Sequence, residues 1–269
     1  MKKTIYHIAL IGVFFLLLEE SAFSQSNFLG KPGLIRIPKP TASESTRDHI
    51  SFLVSYMPID YGINNFMNKR AAEVFYSAQL QPLSWVALNI VLTRPIDISR
   101  IGVGDRHIDL QFFPLNQAKH GINASVIFSP AFGSSFIDHN SLLVSRKFKF
   151  FKILSVETIA GYGFESVFRK PLENFKYADS GFQWIPKSEF GNFYLSGFFG
   201  GLQINFSDNF FISAEYDSKY LNLGASLLLY KKLGLQISYL NMHAVTGNLS
   251  YKIFLDKPRR FNLKYYGKS

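Results

Sequence analysis

The chain has 269 residues, no cysteine, 47% hydrophobic and 16% aromatic residues, and a formal net charge of +10. Without cysteine there are no disulfides, thiolate metal centres or cysteine nucleophiles. The basic excess suits an anionic membrane surface or glycan, and no zinc-finger, Walker-type or dinucleotide-binding glycine pattern points to nucleic acid.

In chain order, the first element is MKKTIYHIALIGVFFLLLEESAFSQS. Lys2 and Lys3 precede an apolar run from Ile8 to Leu18, and Ala22, Ser24 and Gln25 follow as small or polar residues near a cleavage site. This predicts a secretory signal peptide over residues 1–25, too short and wrongly flanked to span a membrane. Lys2 and Lys3 would leave together with Glu19 and Glu20, so the basic excess survives cleavage. Residues 26–48 follow as a periplasmic segment in which Pro32, Pro38 and Pro40 disfavour a helix. It is too short for a domain and is expected to run along the periplasmic face or to tuck into a barrel as a plug or rim.

From residue 49 onward, apolar residues recur at every second position. About twelve segments carry this period, near 49–57, 70–80, 84–94, 105–114, 121–130, 139–148, 152–164, 191–206, 209–218, 220–230, 233–241 and 247–256. Most are about ten residues long, as a tilted membrane strand requires. One face of each is apolar and uncharged: Ile50, Phe52, Val54, Tyr56; Val86, Leu88, Ile90, Leu92; Leu221, Leu223, Ala225, Leu227, Leu229. Long connections alternate with tight turns such as QPLS, KFF and SDN, although the late connections DSK and NMHAV are short on both sides. The pattern predicts an all-β protein, a transmembrane antiparallel up-and-down β-barrel of about twelve strands over 49–256 in the outer membrane of a Gram-negative bacterium. Residues 257–269 are expected to be a basic tail or a replacement last strand.

If the apolar faces meet lipid, the opposite faces line the lumen. Glu73, His107, Asp109, Glu157, Glu165, Glu215, Asp217 and Lys252 then point inward. These inward charges are mostly acidic, whereas Lys and Arg lie in turns, loops and strand ends. Either the carboxylates pair with Lys or Arg reaching in from neighbouring strands or loops, or they leave a hydrated acidic path for cations or hydroxyl-rich sugars. A barrel of this size accommodates a filled or a porous lumen.

The long connection after Glu165 contains KPLENFKYADSGFQWIPKSEFGN, in which Phe175, Tyr177, Phe182 and Trp184 sit among lysines. Aromatic faces beside hydrogen-bonding groups suit sugar rings, and the bland expectation is a loop folded over the barrel mouth. His139 and Ser141 share a strand face, a thin basis for acyl-transfer catalysis without a third group to orient the histidine. His107 and Asp109 also share a face but lack further ligands. Neither a catalytic residue, a metal nor a cofactor is expected.

Several stretches carry a resemblance. GKPGLIRIPKPTA followed by a strand resembles the opening of the YjbH-like family of outer-membrane proteins, through Gly33, Leu34, Ile35, Pro38 and Ala42. GDRHIDLQFFPL resembles a family strand through Asp105, Asp109 and Phe112; NASVIFSPAFGSSFIDHNSLLVSRKF resembles two strands ending in Ser145 to Phe148. GFFGGLQINFSDNFFISAEYDSKY is similar to the late hairpin, with Gly200, Gly201, Glu215, Tyr216, Asp217 and Tyr220. The resemblance implies a role in exopolysaccharide or capsule production, with outer-membrane lipid, polysaccharide and polysaccharide-secretion proteins as partners. Many members are longer, with further domains, and the family offers no catalytic residues to carry over. The expected function is assistance in polysaccharide export or surface assembly. A small-solute porin, a structural barrel with a packed lumen and a lipid-modifying enzyme using His139 and Ser141 are the alternatives.

Overall fold

The computed structural model describes residues 25–41, 49–62, 65–66, 69–96, 98, 102–130, 137–150, 154–169, 181–190, 194–230 and 232–255. In chain order the strands are β1 (His49–Met57), β2 (Asn65–Phe66), β3 (Lys69–Arg70), β4 (Glu73–Leu83), β5 (Val86–Pro95) and β6 (Arg106–Leu115). They continue with β7 (Asn123–Phe128), β8 (Ser141–Lys149), β9 (Ser155–Gly163), β10 (Ser166–Arg169) and β11 (Gln183–Pro186). The last five are β12 (Gly197–Asn205), β13 (Phe210–Tyr216), β14 (Leu221–Leu229), β15 (Leu233–Leu240) and β16 (Ala244–Phe254).

Twelve of these, all but β2, β3, β10 and β11, form a closed antiparallel barrel. Closure is made by β1 against β16, with Phe52 opposite Tyr251 and Val54 opposite Leu249. Every barrel strand thus has a partner on both sides, which is what a backbone facing hydrocarbon needs. β16 completes the ring, so no strand from the residues beyond 255 is required for it; the expected tail 257–269 and residues 1–24 of the expected signal peptide lie outside the described residues, whereas Gln25 is buried in the lumen.

The period of two decides which side chains go where. Phe52, Val54 and Tyr56 on β1, Ile90 and Leu92 on β5, and Leu221, Leu223 and Leu227 on β14 are exposed on the outer wall. Their alternate neighbours, including Ser51, Ser55, Asn89, Asn222 and Ser226, are buried inside. Aromatic residues stand at both ends of the outer wall: Trp85, Phe150, Phe206 and Tyr230 at the short-turn end, Tyr56, Tyr76, Phe198 and Tyr216 at the other. An apolar band between two aromatic girdles is the surface of a barrel that sits in lipid.

The connections explain the two ends. Five short links, after β4, β6, β8, β12 and β14, lie at the end where β1 begins and β16 finishes. One of them holds a one-turn helix, α1 (Gln117–His120), whose Asn116 side chain accepts from Ala118 N and which stops at Gly121 with φ of 77°. Longer links at the other end carry the two small hairpins β2–β3 and β10–β11. The long connection is therefore partly ordered into its own sheet, with Val167, Arg169, Ile185 and Lys187 buried beneath it.

Candidate functional site

Residues 25–41 fill the lumen. Phe28, Leu29, Leu34, Ile35 and Ile37 are buried, and so are Lys31, Arg36 and Lys39. With proline at 32, 38 and 40 the segment has few N–H groups for a regular ladder, and its turns are tied by one side chain instead. Asn27 Oδ1 accepts from Leu29 N (3.1 Å) and Lys31 N (3.0 Å), and its Nδ2 donates to Arg36 O (3.2 Å). Phe28 N donates to Ile35 O at 2.9 Å, closing the plug on itself. Gly30 is obligatory: its φ is +87°, and a Cβ there would lie 1.8 Å from Ser77 Oγ.

The barrel wall completes the plug's polar accounting, as buried backbone groups demand. Glu215 accepts from three consecutive backbone N–H groups, Ile35 (3.0 Å), Arg36 (2.8 Å) and Ile37 (3.1 Å). Side chains of the wall donate to plug carbonyls: Asn89 to Leu29, Gln236 to Leu34, Gln111 to Lys39 and Ser55 to Phe28. Three cations of the plug each meet one wall carboxylate: Lys31 with Asp109 at 2.9 Å, Arg36 with Asp217 at 2.7 Å, and Lys39 with Glu157 at 2.7 Å. The carboxylates are thus paired, with partners drawn from the N-terminal segment and not from neighbouring strands or loops as the sequence suggested.

Two glycines make room for this docking. A Cβ on Gly201 would come within 2.5 Å of Leu34 Cδ1, and one on Gly224 within 2.9 Å of Ile35 Cγ1. From the long-loop end, Tyr194 reaches in and donates its hydroxyl to Arg36 O at 2.7 Å. Its ring packs edge-on against Phe28 and His139, and the Arg36 guanidinium lies over both Phe28 and Tyr194. Lys187 fixes that return by donating to Tyr194 O and Leu195 O, both at 3.1 Å. Burial pushes the Lys187 ammonium down to about 7.

Most of the inward residues expected from the sequence are inside. Glu73, His107, Asp109, Glu157, Glu215, Asp217 and Lys252 are all buried. Glu165 is not: it stands two residues past the end of β9 and is exposed. The alternation that placed it in the lumen stops at Gly163, where the chain leaves the barrel to start β10. Of the loop aromatics, Phe182 and Trp184 belong to the β10–β11 hairpin, 56% and 61% exposed, each with its ring against Phe168. Phe175 and Tyr177 lie outside the described residues.

His139 and Ser141 do not make a nucleophile pair. His139 Nε2 faces Lys31 Nζ at 2.6 Å and Nδ1 faces Ile137 O at 2.9 Å, leaving no ring nitrogen for the serine. His139 precedes β8, which begins at Ser141. It stacks instead on His107, ring centroids 5.4 Å apart. Burial and the adjacent Lys31 ammonium hold its imidazole well below the usual histidine pKa. His107 bridges Asp138 Oδ1 and Asp109 Oδ2, each at 3.0 Å. A third potential ligand therefore joins the His107–Asp109 pair that looked incomplete in the sequence.

Asn27, Lys31, Arg36, Lys39, Asp138 and Tyr194 escaped the sequence reading. The available signal was one of balance: basic residues at 31, 36 and 39 in a short apolar, proline-rich stretch, set against inward strand charges that are mostly acidic.

No family model matches the chain, and no curated protein matches it. Among solved structures, an outer membrane channel from Pseudomonas putida F1 aligns with 81% of this chain and 99% of its own length, at 12% identity and a TM-score of 0.39.

Proposed function

We propose that the protein is an outer-membrane β-barrel that assists export or surface assembly of an exopolysaccharide and is closed at rest by its own N-terminal segment. The observation that carries the closed state is the packing of residues 25–41 into the lumen, with Asp109, Asp217 and Glu157 each neutralised by a cation of that segment. The outer wall supports membrane residence, and the long loops would face outward, as in other outer-membrane barrels.

The polysaccharide reading rests on the YjbH-like resemblance, and its residues have a coherent place. Gly33, Leu34, Ile35 and Pro38 lie in the plug, while Gly201, Glu215 and Asp217 belong to the wall that receives it. These residues form one docking unit, whereas others that carry the resemblance, such as Phe148 and Tyr216, lie on the exposed outer wall. A freely open porin is disfavoured by the same unit. The experiment is the amount and size distribution of surface and secreted polysaccharide in a strain lacking the protein, complemented by wild type or by Glu157→Gln at matched barrel levels. Loss of polymer restored by wild type is the expected result; unchanged polymer in the deletion strain overturns the polysaccharide reading. Conductance of the purified barrel in a planar bilayer tests closure separately, with steady open-channel current from wild type as the contrary result.

A further inference from the structure

His107, Asp109 and His139 come from two separate parts of the wall, yet one ligand atom of each lies within 4.8 Å of the others. All three residues are buried. The far nitrogen of each imidazole has its own anchor: His107 Nδ1 lies 3.0 Å from Asp138 Oδ1, and His139 Nδ1 lies 2.9 Å from Ile137 O. Both rings therefore turn Nε2 toward the same point as Asp109 Oδ2. Anchoring the outer nitrogen while the inner one converges is how proteins orient metal-binding histidines. Asp109 Oδ1, also buried, has no hydrogen-bond partner among the described residues. At the convergence point sits a cation already, Lys31 Nζ, 2.9 Å from Asp109 Oδ2 and 2.6 Å from His139 Nε2.

A single carboxylate satisfies a buried ammonium. The arrangement here is more elaborate: two anchored imidazoles and one carboxylate converge on the Lys31 ammonium. Two anchored imidazoles and a carboxylate with a spare oxygen suit a different occupant. We propose that His107, Asp109 and His139 are the ligands of a divalent transition-metal site of the zinc class, and that Lys31 and the metal are alternative occupants of it. Nitrogen donors select zinc, cobalt or nickel over calcium or magnesium, whose preference is for oxygen. Three protein ligands leave a fourth position open for water. On ligation the metal takes the place of the proton shared between His107 Nε2 and Asp109 Oδ2, which is released to solvent. Because ammonium and metal exclude each other, metal binding and seating of the plug oppose each other, and the opposition is reciprocal.

The test uses Co²⁺, whose visible absorption reports its coordination, on the full-length purified barrel in detergent, with folding checked by heat-modifiable gel mobility. Folded Lys31→Met is expected to take up one Co²⁺, displaced by Zn²⁺, and to bind it more tightly than wild type by about 5- to 150-fold, the usual range of coupling between exclusive states. Adding His139→Ala to Lys31→Met is expected to abolish the visible spectrum. A folded Lys31→Met barrel that takes up no Co²⁺, or one whose uptake is unchanged by His139→Ala, overturns the proposal. If Lys31→Met fails to fold, hydrogen exchange of wild type decides. Zn²⁺ is expected to speed exchange of the Leu34, Ile35 and Ile37 amides, and unaltered exchange under saturating Zn²⁺ counts against the site.

Discussion

The plug is held at two ends by different means. Near the long-loop end, Glu215 grips three backbone N–H groups while Asp217 takes the Arg36 side chain. Toward the short-turn end, Glu157 holds only side chains: Lys39 Nζ at 2.7 Å, with the hydroxyls of Ser145 and Thr41 at 3.2 and 3.4 Å. Capturing the backbone fixes the conformation of residues 35–37 as well as their position. At the Glu157 end a single wall hydrogen bond, Gln111 to Lys39 O at 2.7 Å, holds the backbone and the rest of the grip is on the lysine tip, which leaves the chain more freedom to adjust. The Glu215 end is a clamp and the Glu157 end is a tether, so opening should start at the tether.

The largest effect is expected at the clamp. Glu215→Ala leaves three buried N–H groups without an acceptor, and the barrel is expected to lose roughly 3–5 kcal/mol, the scale of breaking a buried charged contact. Urea unfolding in detergent measures the loss, and bilayer recordings of the same variant should show current that wild type lacks. Lys39→Met comes second, at about 3 kcal/mol, the low end for removing one partner of a buried ion pair, because hydroxyls of Ser145 and Thr41 still reach Glu157. Ser145 stays in reach, so the plug should remain seated; a conductance equal to that of Glu215→Ala would erase the distinction between clamp and tether.

Smaller effects sharpen the picture. Gly201→Ala places a methyl 2.5 Å from Leu34 Cδ1 and 2.7 Å from Ala214 O. Overpacking of this kind costs about 1–3 kcal/mol; Leu34 can swing away but the Ala214 carbonyl cannot, and hydrogen exchange should report loosening at Leu34 ahead of Lys39. The smallest effect at neutral pH is that of Lys187, outside the barrel strands. Its folded pKa of about 7 lies below the unfolded value of roughly 10.4, so between those limits the unfolded chain binds more protons. Stability therefore rises with pH across that window and is independent of this group below it. In Lys187→Met the rise in urea midpoint between pH 7 and 10 should shrink; an identical rise would remove Lys187 as its source.

Both ends also separate what could be read in advance from what could not. Glu157, Glu215 and Asp217 were recognisable as inward-facing because the period of two and the cost of charge against lipid leave them nowhere else to go. Glu165 was misplaced by the same rule, since periodicity cannot say where a strand ends when the next few residues keep alternating. β10 begins three residues after Gly163, so the sequence reads through a boundary that the structure resolves. His139 looked like a strand residue because DHNSLL alternates smoothly, yet β8 starts at Ser141. That shift of two residues removed a serine partner and supplied a lysine.

Local alternation and the burial cost of each residue type are enough to fix an all-β barrel of about twelve strands, its apolar outer face and the mostly acidic charge of its inner face; the exact count and the last strand come from closure of β1 on β16. What fills the lumen is set by contacts between distant parts of the chain. Lys31 and Asp109 are 78 positions apart, Arg36 and Glu215 are 179 apart, and Lys39 and Glu157 are 118 apart. Nothing local links them. Their pairing follows from barrel closure, which gathers the scattered carboxylates around one axis and leaves a cationic, proline-bent segment as the partner that satisfies them.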